Sequence, residues 1–160
     1  MTQSNETVAD KTLEITRVFD APRELVFQAW TDSKHMAQWC APAGFSIPLS
    51  EGEAHSGGTW RTTMVAPDGA EYSCNGEYRE VVPPEKLVFS HAWDEADMPR
   101  HETLVTVTFS DIDANKTRMD FRQEFFRSKS SRDGHEGGWT EAFERLTDYL
   151  DAVQKKQGGC

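Results

Sequence analysis

Residues 139–153, with the sequence WTEAFERLTDYLDAV, carry a clear helical pattern. Apolar side chains recur along them at spacings of four, three, four and three, at Trp139, Phe143, Leu146, Leu150 and Val153. On a helix with 3.6 residues per turn these side chains form one stripe, and most of the acidic side chains fall on the other side. We therefore predict a long amphipathic helix. Gly134, Gly137 and Gly138 stand just before it, where we expect a flexible lead-in that could act as a gate.

The sequence before this helix, between residues 43 and 127, predicts strands and tight turns. Apolar and polar residues alternate through it, as in strands with one buried face. Pro67-Asp68-Gly69 is a typical turn sequence, so we expect residues 58–66 and 70–82 to pair as a hairpin. We expect Gly57-Gly58 and Gly76 to lie where a strongly curved sheet bends.

Two short helices are predicted after a first strand that begins at Leu13. The first would start at Asp20-Ala-Pro22, with an acidic cap and proline in its first turn. The second would run from Ser33 to Trp39, with Asp32 near its cap. The resulting order is β-α-α-β-β-β-β-β-β-α, with about seven strands. It predicts an α+β fold in which a curved antiparallel sheet wraps around the long C-terminal helix.

Length and charge limit the possible functions. At 160 residues the chain is long enough for one domain, which we place at 11–156, between a disordered start at 1–10 and a flexible tail at 157–160. Its 27 acidic and 17 basic residues give a formal charge of −10. Because this excess repels phosphate backbones and anionic membranes, we expect no nucleic-acid partner and no membrane insertion.

The N-terminus and the cysteines indicate the cellular compartment. The first eleven residues, MTQSNETVADK, contain no apolar stretch like that of a secretory signal, which favours the cytoplasm. Cys40, Cys74 and Cys160 are scattered and form no C-x-x-C pair. We expect reduced thiols rather than a disulfide framework, with Cys74 as a small buried residue.

Landmark residues throughout the chain resemble those of a known superfamily. They lie in the segments Arg17-Val-Phe-Asp-Ala-Pro22, Val26-Phe-Gln-Ala-Trp30-Thr-Asp32, Gly57-Gly58-Thr-Trp60-Arg, Gly76-Glu-Tyr78-Arg-Glu-Val-Val-Pro-Pro-Glu85 and Gly138-Trp139. In this order, across residues 13–153, the segments resemble the START-like, or Bet v-like (SRPBCC), helix-grip superfamily. Within it, the chain resembles homologues of the activator of the heat-shock-protein-90 ATPase.

This resemblance implies a fold more than an activity. Similar proteins bind lipids, hormones, polyketides or other apolar molecules, and a few members of the superfamily are cyclases or hydrolases. The eukaryotic namesake uses a comparable domain to stimulate a chaperone. The resemblance therefore implies a helix-grip fold with a cavity for a small hydrophobic molecule, and we expect no cofactor.

The expected cavity wall follows from strand parity, because same-parity residues of neighbouring strands point to the same face. On the sheet we predict ligand contacts from Trp60, Met64, Cys74, Tyr78, Phe89, His91, Val105, Val107, Phe121 and Gln123. Trp139 and Phe143 would cover the cavity from the helix, with Trp30 and Trp39 near its mouth. A mostly apolar wall with a few polar groups suits a small-molecule pocket. The alternative is that these side chains simply fill the core.

His91 and His101 are the candidates for chemistry. If residues 94–100 form a hairpin loop, the two histidines lie diagonally on one face, about 7–8 Å apart at Cα. A zinc site would need further ligands, and no third histidine or cysteine has a recognisable spacing, so no metal is predicted. The sequence also has no G-x-S-x-G elbow and no cysteine with an evident base, so we assign no catalytic residue.

Three functions are compatible with these patterns. The first, which we take as the working hypothesis, is non-catalytic binding of a small apolar or amphipathic molecule. The second is an enzyme of the cyclase or hydrolase type in the same cavity, with His91 and either Tyr78 or His101 as acid and base. The third is a protein-interaction domain, such as a chaperone accessory, whose acidic surface would contact the partner.

Overall fold

The computed structural model describes residues 6–94 and 99–158. A short 3₁₀ turn, Ala9–Lys11, precedes the first strand. The strands are β1 (Leu13–Phe19), β2 (Ser46–Gly52), β3 (Thr59–Val65), β4 (Glu71–Val82), β5 (Lys86–Trp93), β6 (Thr103–Asp113) and β7 (Lys116–Glu124). The helices are α1 (Arg23–Thr31), α2 (Ser33–Trp39) and α3 (Lys129–Gly158). This is the predicted order of elements.

The seven strands form one antiparallel sheet. Its order is β1-β7-β6-β5-β4-β3-β2, so each strand from β2 to β7 pairs with its neighbour in the chain, and β1 pairs with β7. The predicted hairpin is present as β3 and β4, and Gly69 in its turn has a φ of 90°. The sheet curls into a half-barrel against α3, which confirms the predicted α+β helix-grip fold.

The concave face of the sheet and one face of α3 share an apolar core. Phe143, Leu146 and Leu150 of the predicted helical stripe are at most 1% exposed. Phe143 meets Phe121 of β7, with their ring centroids 5.4 Å apart. This packing stabilises α3, because tertiary burial of an amphipathic face contributes more to a helix in a protein than intrinsic propensity does.

The two short helices begin in different ways. α2 is capped as predicted, because Asp32 Oδ1 accepts a hydrogen bond from the Lys34 N–H at 2.9 Å. α1 begins at Arg23, with Pro22 at the N-cap position and no side-chain cap. The predicted acidic cap from Asp20 is therefore wrong, and that carboxylate lies 3.7 Å from Lys116 Nζ instead.

α3 begins at Lys129, well before the predicted stripe, and it contains all three glycines of the expected flexible lead-in. That expectation is wrong. Each glycine costs a helix interior about 1 kcal/mol relative to alanine. Contacts of the first turns offset this cost: the Lys129 N–H donates to Glu6 Oε1 at 3.0 Å, and His135 packs on Phe126 with ring centroids 4.8 Å apart.

Gly76 lies inside β4 at a position where the structure leaves no room for a side chain. A Cβ atom there would lie 1.8 Å from the Ser90 carbonyl oxygen and 2.7 Å from Trp60 Nε1. The Trp60 indole passes across this position and donates to Ser90 O at 3.1 Å. The β4–β5 register shifts just beyond, between Tyr78 and Glu80. Only glycine leaves room for the indole here.

The predicted limits of the domain stay predictions, because residues 1–5 and 159–160, including Cys160, lie outside the described residues. Part of the predicted loop at 94–100 also lies outside them, at 95–98. Within the described ranges, no helix combines the length and the apolar character needed to cross a bilayer.

Candidate ligand-binding site

A pocket of about 390 Å³ lies between strands β3–β5 and the first half of α3. The segment that follows α2 forms one of its sides. Its walls consist of Cys40, Ala41, Pro42, Thr62, Met64, Cys74, His91, Trp93, Ser130, Ser131, Gly134, His135, Gly138, Trp139 and Ala142. The volume falls in the range of roughly 300–1,000 Å³ that is typical of small-molecule sites.

The glycines of α3 leave space for this pocket. Gly134 and Gly138 are one helical turn apart and both line it. A Cβ atom on Gly134 would meet nothing within 4 Å, so a larger side chain at this position would extend into pocket space. Gly134 and Gly137 are both exposed and both have open space around the Cβ position, but Gly137 does not line the pocket.

The pocket carries no formal charge. Among the described residues that line it, none is Asp, Glu, Lys or Arg. Burial raises the pKa of the Cys40 thiol to about 12, with Arg145 acting weakly in the opposite direction. Burial raises the pKa of Cys74 as well. Both thiols are therefore protonated and neutral at physiological pH.

His91 supplies the most buried imidazole of the wall, at 5% exposure. Its ring centroid lies 5.2 Å from that of Trp93, 5.4 Å from that of Trp60 and 6.1 Å from that of His135. Burial lowers the pKa of His91 to about 3, with smaller contributions in the same direction from His135 and Arg100 and an opposing one from a hydrogen bond to the residue's own main chain. The ring is therefore neutral at physiological pH.

Both ring nitrogens of His135 have protein partners. Trp93 Nε1 donates to His135 Nε2 at 2.8 Å, and His135 Nδ1 donates to the Ser131 carbonyl oxygen at 2.8 Å. The first bond requires Nε2 to be an acceptor, and the second requires Nδ1 to carry the proton. This part of α3 is thereby fixed to β5 through a neutral imidazole of defined tautomer.

Trp139 is held in the wall by a buried hydrogen-bond chain. Its Nε1 donates to Gln123 Oε1 at 2.9 Å, and Gln123 Nε2 donates to Thr103 Oγ1 at 2.8 Å. Thr103 Oγ1 in turn donates to the main-chain oxygen of His91 at 3.2 Å. These hydrogen bonds connect α3 to β7, β6 and β5. They leave the Trp139 indole with its apolar surface towards the pocket.

Arg145 holds the side wall that follows α2. Its Nη1 donates to the carbonyl oxygens of Ala41, Pro42 and Phe45, at 3.1, 2.9 and 3.1 Å. Its Nη2 lies 3.4 Å from the Gln38 oxygen. One guanidinium therefore satisfies the main chain of this turn and joins it to α3. The sequence pattern does not distinguish this residue, since an arginine on a helix normally faces solvent.

The predicted wall residues divide into two groups. Met64, Cys74, His91 and Trp139 line the pocket. The others lie in or against the core around it, and they are Trp30, Trp39, Trp60, Tyr78, Phe89, Val105, Val107, Phe121, Gln123 and Phe143. The Trp30 ring stands in the middle of this second group, and the aromatic side chains around it fill the centre of the grip. The role of either group as ligand contacts stays a prediction.

The structure brings His91 next to His135 rather than His101. His101 precedes β6, and its Nε2 donates to the Phe125 carbonyl oxygen at 2.6 Å. His135 lies four residues before Trp139, so it extends the apolar stripe by one turn; the surrounding glycines conceal this signal. In the described part of the chain, no three His, Cys, Asp or Glu side chains are grouped for metal binding.

The resemblance noted from the sequence is confirmed by comparison with protein families. The family model described as Activator of Hsp90 ATPase homolog 1-like protein matches residues 20–151. The chain belongs to this family. A comparison with curated proteins finds no match.

Solved structures of other proteins share the fold of this chain. A protein from Chromobacterium violaceum is 26% identical, with a TM-score of 0.81 over 88% of this chain and 96% of that one. The AHSA1 protein from Silicibacter pomeroyi is 24% identical, with a TM-score of 0.81 and coverage of 89% and 99%. A protein from Mycobacterium smegmatis is 22% identical, with a TM-score of 0.78 and coverage of 95% and 98%. These likenesses concern the fold, so a ligand has to be argued from the pocket.

Proposed function

We propose that this protein binds a small apolar or amphipathic molecule in the pocket between β3–β5 and α3, without catalysing a reaction on it. The observation that carries the proposal is the pocket itself, with about 390 Å³ of space and walls free of ionised side chains among the described residues. The chain as a whole carries 27 acidic and 17 basic residues, so a pocket wall without ionised side chains differs from the rest of its surface. Such a wall favours an apolar ligand.

Burial of apolar ligand surface would supply the affinity. Each Å² removed from water contributes about 25 cal/mol, and Met64, Trp93, Trp139 and Ala142 offer apolar surface to meet it. The hydrogen bonds of Trp93 and Trp139 to other side chains fix the two indoles before a ligand arrives. A preformed wall reduces the entropy that binding would otherwise lose.

The electrostatics of the wall favour binding over acid–base chemistry. A general base works best with a pKa near the operating pH, whereas burial lowers the pKa of His91 to about 3. A cysteine nucleophile must be a thiolate, whereas burial raises the pKa of both Cys40 and Cys74. These groups are suited to shape a neutral cavity.

The test is fluorescence titration with N-phenyl-1-naphthylamine, an uncharged probe whose emission rises in apolar surroundings. Gly134→Leu should weaken probe binding about ten-fold, because the leucine side chain would take up pocket volume that the probe needs, and a loss of about 1.4 kcal/mol is a ten-fold change in Kd. Gly137→Leu makes the same change three residues along the same helix, at a position outside the pocket, and should leave probe affinity unchanged.

Two results would contradict the proposal. One is the absence of saturable probe binding to the folded wild-type chain, which would favour the protein-interaction hypothesis instead. The other is an equal loss of affinity in the two leucine variants, which would place the probe somewhere else. Circular dichroism on both variants checks that α3 is intact before affinities are compared.

A further inference from the structure

The polar groups around the pocket differ in whether they already have hydrogen-bond partners in the protein. The indole N–H groups of Trp93 and Trp139 donate to His135 and Gln123, at 2.8 and 2.9 Å. Both ring nitrogens of His135 are engaged as well. A ligand would therefore meet these three residues mainly through their apolar surfaces.

The His91 imidazole is different. Its main-chain oxygen accepts a bond from Thr103, whereas no other residue in the described ranges hydrogen-bonds to the ring. The side chain lies on the concave face of β5, is 5% exposed and lines the pocket. The ring also interacts with the main-chain oxygen of the same residue, and the imidazole keeps hydrogen-bonding capacity for a group that enters the pocket.

We propose that the His91 imidazole recognises a hydroxyl or carbonyl group, so that the pocket selects an uncharged ligand with one such group on an apolar body; this inference rests on the proposed function. A neutral imidazole has one donor and one acceptor, so it can pair with a hydroxyl in either direction or donate to a carbonyl oxygen. Alcohols, phenols and ketones of suitable size fit this description.

Anionic ligands fit poorly. No lysine or arginine is among the described residues that line the pocket, so a carboxylate would lose its hydration without gaining a cation. Arg100 lies near enough to affect the pKa of His91, but it lines a separate surface groove with Asn75 and Glu102. Its guanidinium bonds these two side chains, at 2.7 Å to Asn75 and 3.2 Å to Glu102. Protonating His91 to meet an anion would oppose the burial that lowers its pKa.

The experiment compares three ligands that share one aromatic body: naphthalene, 2-naphthol and 2-naphthoate. Each displaces N-phenyl-1-naphthylamine from the wild-type chain at neutral pH. We expect 2-naphthol to bind about three- to ten-fold more tightly than naphthalene, the range of one buried hydrogen bond, and 2-naphthoate to bind more weakly than either.

His91→Phe retains an aromatic ring and removes its hydrogen-bonding atoms. This variant should still bind naphthalene, with the preference for 2-naphthol reduced to near one. His55→Phe is the matched control, since it makes the same change at an exposed histidine that does not line the pocket. It should keep the wild-type preference.

The outcomes separate the inference from the proposed function. If naphthalene displaces the probe but 2-naphthol is not preferred, or if His91→Phe keeps the preference, the inference fails and the proposed function stands. If the probe binds but none of the three ligands displaces it, the inference fails; if the probe itself does not bind, the proposed function fails too. Should His91→Phe not fold, imidazole ¹⁵N spectra of the wild type decide: 2-naphthol must shift the His91 ring nitrogens more than naphthalene does.

Discussion

His91 shows how burial changes the chemistry of a single residue. At 5% exposure among three aromatic neighbours, its ring cannot be hydrated when charged, so burial lowers its pKa to about 3. His55, in contrast, has a side chain that is 67% exposed, so its ring is in contact with water. The sequence places His91 on the inner face of a strand by parity alone, but it does not reveal the neighbours that keep the ring neutral.

This burial has a consequence for the pH dependence of stability. A histidine in the unfolded chain takes up a proton below a pKa of about 6.5, whereas folded His91 does so only near 3. Between these values the unfolded state binds more protons, so the free energy of unfolding falls as the pH drops through that window.

We expect His91→Phe to reduce the loss of stability between about pH 7.5 and about pH 4.5. At 1.36 kcal/mol per unit, the buried imidazole accounts for about 2–3 kcal/mol of that loss. Urea titrations of both proteins at the two pH values measure the difference. His55→Gln, at an exposed position, should keep the wild-type dependence, and an equal dependence in His91→Phe would refute the expectation.

At the scale of elements, α3 shows what a periodic pattern can and cannot predict. The stripe from Trp139 to Val153 correctly identifies the part of the helix that packs on the core. The preceding turns contain Gly134, Gly137 and Gly138, whose low propensity predicts a flexible lead-in. These turns are helical because their side chains contact the sheet and the N-terminal segment, which are distant in sequence.

A pair of glycine substitutions tests this helical start. Gly137→Ala should raise the free energy of unfolding by about 0.5–1 kcal/mol, because alanine is the better helix former and meets no atom within 4 Å. Gly69→Ala makes the same change in open space at a φ of 90°, so it should lower stability. Thermal unfolding of both variants measures whether each substitution raises or lowers stability. A destabilising Gly137→Ala would mean that α3 does not include these turns.

At the scale of the whole molecule, the pocket depends on how three distant segments meet. Aromatic side chains of α1, α2, the sheet and α3 fill the centre of the grip, and space remains beside the first half of α3. The turn after α2 closes one side of the pocket. Arg145, on α3, donates hydrogen bonds to the carbonyl oxygens of that turn. The integrity of the pocket should therefore depend on a residue that does not line it.

Arg145→Lys tests this connection. Lysine keeps the charge but cannot reproduce the guanidinium fork that reaches Ala41, Pro42 and Phe45. We expect a stability loss of about 1–3 kcal/mol, since hydrogen bonds to charged groups are worth about that much, together with weaker binding of N-phenyl-1-naphthylamine.

Arg122→Lys is the control for that substitution. Arg122 is about half exposed, and its guanidinium lies 4.0 Å from Glu14 and 3.4 Å from Glu124. Exposed ion pairs contribute about 0–1 kcal/mol, so this variant should unfold and bind the probe much like the wild type. Equal effects of the two lysine substitutions would show that Arg145 has no special role in the side wall.

Local patterns in the sequence predict the order of elements, the hairpin at Pro67-Asp68-Gly69, the buried stripe of α3 and the family, because periodicity and turn chemistry are local properties of the chain. Tertiary packing, in contrast, sets which inward side chains fill the core and which line the pocket. It also placed His135, rather than His101, beside His91. These outcomes depend on side-chain volumes and hydrogen bonds between segments far apart in sequence, and no local pattern encodes such contacts.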